Sequence, residues 1–414
     1  MRKFLSCIFI LLNGSVALAQ HDKAPIPITL NQHDTVKVRP VDSASQRDML
    51  DVIKSVVHKT HQEDDRLKFR KITFSLLPAV GYSLSTGFAV TLSSNVLFYT
   101  TKDGKDVNPS LINASGFLDT YNQRSVLLQS DIWTDHNNYD LTTDFRWLKY
   151  PGETYGLGAT TTPEKSNDLN YNYVKFYATL LRKIIPNYYI GLGYNLDYHT
   201  NLTQSGNEDG SVSDLTKYGG PYTTNSSGLN IDLLYDKREN PINPVGGGAY
   251  ANIIFRQNYN FLGSNDSWES LIVDLRKYFK TSPNNNNVLA FWWYSWFTFN
   301  GNTPYLDLPA TGWDPSGSTG RGYAEGRFRG KDMLYAEAEF RFGITHNGLL
   351  GGVLFANGQT YPEYPNGGFQ KIIPAAGTGL RIKLNKHSNT NICVDYGFGI
   401  DGSRGFFVNL GEGF

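Results

Sequence analysis

Three arginines in one connector and a pair of carboxylates just beyond it are the groups in this sequence best placed to do chemistry. Ser318-Thr319-Gly320-Arg321-Gly322-Tyr323-Ala324-Glu325-Gly326-Arg327-Phe328-Arg329 lies in a loop of about thirty residues, a length that is usually either functional or disordered. Glu337 and Glu339 follow two residues apart, so a strand presents both on one face. Inward carboxylates can act as a general acid and base, but Arg341 shares their face, and Arg381 and Lys383 recur two strands on. Opposite-charge pairing explains them better than catalysis. The run Gly320-Arg321-Gly322-Tyr323-Ala324-Glu325-Gly326 superficially resembles a dinucleotide loop, yet it lacks the strand–loop–helix setting that such a loop needs. The eight histidines are dispersed; His58 and His61 form their one close pair, without further ligands at metal-binding spacing. No nucleophile–histidine constellation stands out. The expectation is no catalytic residue, no metal and no cofactor.

The elements that position these groups begin with an export signal over residues 1–19. Met1-Arg2-Lys3 is basic, Phe4 to Val16 is mostly apolar, and Ala17-Leu18-Ala19 is a small-residue cleavage pattern. That apolar core is too short to span a membrane as a helix. Cys7 lies too near the amino terminus for a lipoprotein site, and with the signal removed Cys393 is the one remaining cysteine. Residues 20–69 read as a polar periplasmic tail. Within it, Leu50, Ile53, Val56 and Val57 mark a short amphipathic helix over Ser43 to Thr60.

From residue 70 to 414 strand patterns follow one another. Net charge is zero, which gives no electrostatic reason for a nucleic-acid partner. No apolar run after the signal reaches the 18 residues of a membrane helix. The chain nevertheless holds 26 Tyr, 24 Phe, 7 Trp and 41 Gly. An exported, aromatic-rich chain of alternating strands fits an all-β transmembrane antiparallel barrel with an aqueous interior, placed in the outer membrane against its lipid. Leu229, Ile231, Leu233 and Tyr235 oppose Asn230, Asp232 and Asp236; Ala336, Ala338, Phe340 and Phe342 oppose Glu337, Glu339 and Arg341. Ile392, Val394, Tyr396 and Phe398 oppose Asn391, Cys393 and Asp395. Val288 to Phe299 is apolar on both faces, so its inner face should pack on a plug or loop. The parse gives about 16 strands with short turns alternating with long loops, which returns the last strand to the periplasm. That last strand, read as 404–414, puts Phe406, Val408, Leu410 and Phe414 on one face, with Gly411 beside them. Barrel closure requires it to pair with the strand near Ile72 to Tyr82, and its pattern reads as a closure and assembly signal.

Over residues 70–414 the chain resembles the barrel portion of the bacterial surface-antigen superfamily that includes the BamA and TamA assembly factors. The resemblance rests on the turn Asp236-Lys237-Arg238-Glu239-Asn240-Pro241 with Pro244 and Gly247, on Arg321-Gly322-Tyr323 after the eleventh strand, and on the terminal strand ending in an aromatic residue. It implies that the long loop folds into the lumen and that Arg321 pairs with acids on the inner wall, Glu339 among them. One departure is Ala356, standing where related factors carry an aspartate before an Xaa-Gly pair; Glu337 or Asp395 is then the second partner. The other is length. Roughly fifty residues between signal and barrel are too few for a receptor domain with its linker. The resemblance implies assistance to protein insertion or translocation, with unfolded clients and a separate periplasmic partner; the alternative is a passive or plugged pore, or a structural surface barrel.

Overall fold

A computed structural model describes residues 46–49, 51–52, 72–83, 87–101, 107–108, 110–120, 122–219, 222–238, 243–281, 286–365, 367–385 and 389–414. The signal at 1–19, most of the helix expected at 43–60, the His58–His61 pair and Asn240 lie outside the described residues. Alternating side chains build sixteen strands. They are β1 (Ile72–Ser83), β2 (Gly87–Phe98), β3 (Ser110–Asp119), β4 (Arg124–Trp133), β5 (Tyr139–Thr154), β6 (Asn167–Ile185), β7 (Tyr188–Gln204) and β8 (Thr224–Asp236). The second half comprises β9 (Gly248–Asn258), β10 (Glu269–Lys280), β11 (Val288–Phe299), β12 (Asp332–Gly343), β13 (Leu350–Thr360), β14 (Ile373–Asn385), β15 (Thr390–Phe398) and β16 (Arg404–Leu410). Each pairs antiparallel with its sequence neighbour in a single sheet running in order from β1 to β16. Among the described residues, no hydrogen-bonded ladder joins β16 back to β1.

The two faces separate as the alternation dictates. Leu229, Ile231 and Leu233 are exposed on the outside of β8, whereas Asn230 and Asp232 are buried within. Phe291 and Trp293 of β11 likewise face out while Ala290, Trp292 and Tyr294 are buried. A wall that is apolar outside and polar inside is what a lipid-embedded barrel with a wet lumen requires. Ion pairs line the interior: Arg256 holds Asp197 at 2.5 Å, Arg276 holds Asp274 at 2.7 Å, and Lys175 with Arg146 flanks Asp144 at 3.1 and 2.8 Å. The inner face of β11 has its partner too. Trp292 stacks on Phe414 with ring centroids 5.1 Å apart and meets Tyr335 edge-on at 5.1 Å.

That contact corrects the reading of the last strand. Phe406 is exposed on the outer face, but β16 stops at Leu410, Gly411 turns the chain at φ +84°, and Phe414 is buried inside the lumen. A side-chain period of two makes face assignment hostage to a single irregular residue, and a left-handed glycine supplies it here. The turn after β8 also bends toward the interior: Val245 packs on the lumenal cluster, and Asn243 Nδ2 donates to the carbonyl of Asn389, between β14 and β15, at 3.2 Å. Before β1, the backbone N–H of Arg47 donates to the carbonyl of Asn347 in the β12–β13 turn at 3.0 Å, while Asp48 and Asp51 cap each other's N–H groups.

Candidate functional site: an arginine lock in the lumen

The loop between β11 and β12 is ordered by its own side chains before it meets the wall. Asp314 accepts the N–H of Ser318 at 3.0 Å and that of Thr319 at 2.7 Å, together with the hydroxyls of Ser316 and Thr319. Arg329 Nη1 donates to the carbonyls of Tyr305, Leu306 and Leu308 at 3.1–3.2 Å, closing the first part of the loop on its last part. Arg327 crosses to the β5–β6 loop, donating to Thr161 O at 2.8 Å and Thr161 Oγ1 at 3.0 Å. Arg329 therefore satisfies backbone carbonyls, Arg327 satisfies Thr161 with the exposed Asp401 carboxylate 3.9 Å away, and Arg321 is the one that gathers several buried carboxylates.

Arg321 is 1% exposed and its guanidinium bonds to Glu337, Glu339 and Asp395. Glu337 and Glu339 come from β12 by alternation, and Asp395 from β15. The guanidinium lies 4.1 Å from the Phe355 ring centroid on β13, so an aromatic face backs the ion cluster. Asn357 Nδ2 donates to the Arg321 carbonyl at 3.0 Å. Gly322 has φ +121°, and a Cβ there would stand 2.8 Å from that of Ala375; only glycine lets the loop backbone lie on β14 and β15. Ser403 Oγ donates to Gly322 O at 2.7 Å, and Tyr323 Oη bridges the Ile400 N–H and the Pro374 carbonyl.

The acids around Arg321 are shared with two further cations. Arg341 Nε binds Glu339 at 2.5 Å, and Arg381 binds Asp395. Both reach Glu412, Arg381 at 2.8 Å and Arg341 at 3.6 Å. Three guanidiniums and four carboxylates thus form one network in which each charge has an opposite neighbour, the arrangement that makes buried ions tolerable. Lys383, expected among these charges, instead caps Asn389 in the β14–β15 turn. Each of the four carboxylates meets at least one guanidinium within this network.

At the other end of the loop Asp307 makes a second anchor. Ser226 Oγ donates to its Oδ2 at 2.5 Å, and His199 Nδ1 of β7 lies 3.5 Å from Oδ1. Tyr173 stacks on the His199 ring at 4.3 Å with 3° between planes. The loop is therefore tied to β7 and β8 on one side and to β12 and β15 on the other.

Compared with the sequence reading, Arg321 finds all three candidate acids rather than two. Ala356 is not the occupant of a partner position, because it faces outward while Asn357 turns in. In the turn after β8, Arg238 grips Asp236 at 2.6 Å and lies 4.3 Å from the Tyr250 ring, with Gly247 at φ +94° and Pro244 O accepting the Gly247 N–H. Asp307, His199, Ser226, Asn357 and Glu412 were missed. Asn357 alone carried a legible signal, as the inward neighbour of Ala356.

A profile of the Omp85 superfamily domain matches residues 110–414. The chain belongs to the Omp85 superfamily. The structure agrees: BamA from Haemophilus ducreyi lacking POTRA domains 1-3 is similar at 15% identity and TM-score 0.52, over 82% of this chain and 68% of that one. CdiB from Acinetobacter baumannii is similar at 14% and 0.53, over 83% of this chain and 60% of that one. CdiB from Escherichia coli gives 10% and 0.54, over 83% and 62%. At these identities the likeness shows the fold, and the Omp85 chain spans less than two thirds of either CdiB. A comparison with curated proteins finds no match. An Omp85 barrel of this kind places the protein in the outer membrane, and the lumenal arginine cluster lies inside it.

Proposed function

We propose that this Omp85 barrel assists the insertion or translocation of proteins at the outer membrane, reached through an export signal at 1–19 and followed by a periplasmic segment over 20–69. The observation that carries the reading is the seam. β1 spans twelve residues and β16 seven, and no ladder among the described residues joins them. Unpaired strand edges are a template for another strand, and closed barrels normally abolish them. Unfolded clients are the partners such an edge would serve. The hydrogen bond from the Arg47 N–H to the Asn347 carbonyl supports a periplasmic segment lying along the β12–β13 turn, where a separate partner would meet it. A disulfide engineered between β1 and β16, combined with quantification of the outer-membrane proteome after depletion and rescue, tests the proposal. Loss of barrel proteins on depletion, rescued by the reduced form and not by the oxidised one, supports it; an unchanged proteome overturns it.

A second reading is favoured by the filled lumen, where Tyr323 and Phe328 of the loop join Trp292, Tyr335 and Phe414 in one buried cluster. This reading makes the protein a plugged pore or a structural surface barrel. It predicts a rise in single-channel conductance when Gly320–Arg329 is deleted, with no effect of locking the seam.

A further inference from the structure

The segment Gly411–Phe414 extends the seam strand into the ion network that holds the loop. Glu412 accepts from Arg381 at 2.8 Å and from Asn391 at 2.8 Å. Arg341 Nη2 donates to the Phe414 carbonyl at 3.0 Å, and the same guanidinium lies 5.1 Å from the Phe414 ring centroid. Phe414 stacks between Trp292 at 5.1 Å and Tyr278 at 6.3 Å. Gly413 lies against the loop itself: a Cβ there would stand 3.7 Å from Ser318 Oγ and 3.9 Å from Arg321 Cζ. Two charge relays therefore run from loop to seam, Arg321–Glu339–Arg341–Glu412 and Arg321–Asp395–Arg381–Glu412.

We infer that Glu412 and Phe414 fasten strand β16 to the loop lock, so that the seam and the loop loosen together. Glu412 is a positioning residue: it acts through Arg341 and Arg381, and its loss frees both cations to recentre on Glu339 and Asp395. Phe414 supplies the apolar half of the fastening, because its release would uncover Trp292 and Tyr278 to the wet lumen. The inference builds on the seam reading for its consequence, but its test reads geometry and not assembly.

The molecule contains its own reporter. Cys393 is 1% exposed, and its Sγ donates to the carbonyl of Gly411 at 3.0 Å, directly under the segment in question. Alkylation of Cys393 by a small maleimide in native outer membranes then measures how often that segment is displaced. A Cys393→Ser control subtracts any label on Cys7, and heat-modifiable gel migration verifies that each variant is folded. Glu412→Gln and Phe414→Ala should each raise the labelling rate roughly fivefold or more. Arg321→Ala should do the same although it does not touch Cys393, and the Arg321→Ala/Glu412→Gln double variant should rise by less than the product of the two single effects. Reciprocity demands that Glu412→Gln also increase protease cleavage within Gly320–Arg329, which serves as the test should Arg321→Ala fail to fold. Multiplicative single effects, or a loop whose cleavage is indifferent to Glu412→Gln, would show two independent devices and overturn the inference. Coupled labelling with an unchanged outer-membrane proteome would uphold it while removing the assembly reading.

Discussion

Arg321 sits among three carboxylates with almost no access to solvent, and that environment fixes what its replacement does. Arg321→Ala leaves Glu337, Glu339 and Asp395 crowded without their shared cation, a loss of about 3–5 kcal/mol for breaking a buried ionic cluster. Urea unfolding of the barrel in a bilayer reads it directly. Arg321→Lys should recover only part, since an ammonium cannot span three acids with a planar fork. Gly322→Ala tests the backbone rather than the charge: φ +121° and the 2.8 Å approach to Ala375 make any side chain there a strain of roughly 1–3 kcal/mol. Its expected signature is a protease-sensitive loop with the barrel wall intact. Glu339 was legible from sequence because a strand's period of two is a strong constraint, and Arg321 because Arg321-Gly322-Tyr323 resembles a family motif. Glu412 was not, because strict alternation from Phe406 assigns it to the lipid face, and the left-handed turn at Gly411 reverses that assignment.

The loop between β11 and β12 behaves as a crossbar with an ionic end at Arg321 and a titratable end at Asp307. Burial in the first place, with Asp197 nearby in the second, pushes the Asp307 carboxyl up to about 8, against the partial relief given by Ser226 and Arg256. An acid whose folded pKa is raised binds more protons folded than unfolded. Its contribution is fully present below the ordinary aspartate range and is lost as pH rises to about 8. The loop should therefore become more susceptible to protease between about pH 5 and pH 8, and Asp307→Asn should flatten that profile; a pH-independent wild type would dismiss the anchor. Sequence reasoning did find the loop, its length and its inward fold. The Asp307–His199–Ser226 contact escaped it because the three residues lie on separate elements, and nothing local to any one of them signals the other two.

For the whole molecule the decisive quantity is the state of the β1–β16 edge. If the edge serves clients, an oxidised disulfide across it should abolish rescue of the outer-membrane proteome, while Gly320–Arg329 deletion should disturb assembly as well as conductance. If the barrel is a plugged pore, the deletion alone should raise conductance and the disulfide should be silent. Planar-bilayer recording and proteome quantification on the same variants separate the two. The lumen favours a strong conductance change, since loop residues Tyr323 and Phe328 pack against Phe414 and the inner wall.

Sixteen strands, their order, the inward placement of Glu337, Glu339, Arg341 and Asp395, and the Omp85 resemblance were all contained in the sequence. Each is written in a local rule: alternation, turn chemistry or a short motif. Tertiary structure decided where those rules stop. It turned Gly411–Phe414 into the lumen, gave Arg321 three acids, and replaced an apparent defect at Ala356 with an inward Asn357. The physical reason is the same in every case. A periodic pattern specifies which face a side chain takes, whereas a partner far away in the chain is chosen by the curvature of the wall and by the attraction of opposite charges buried within it.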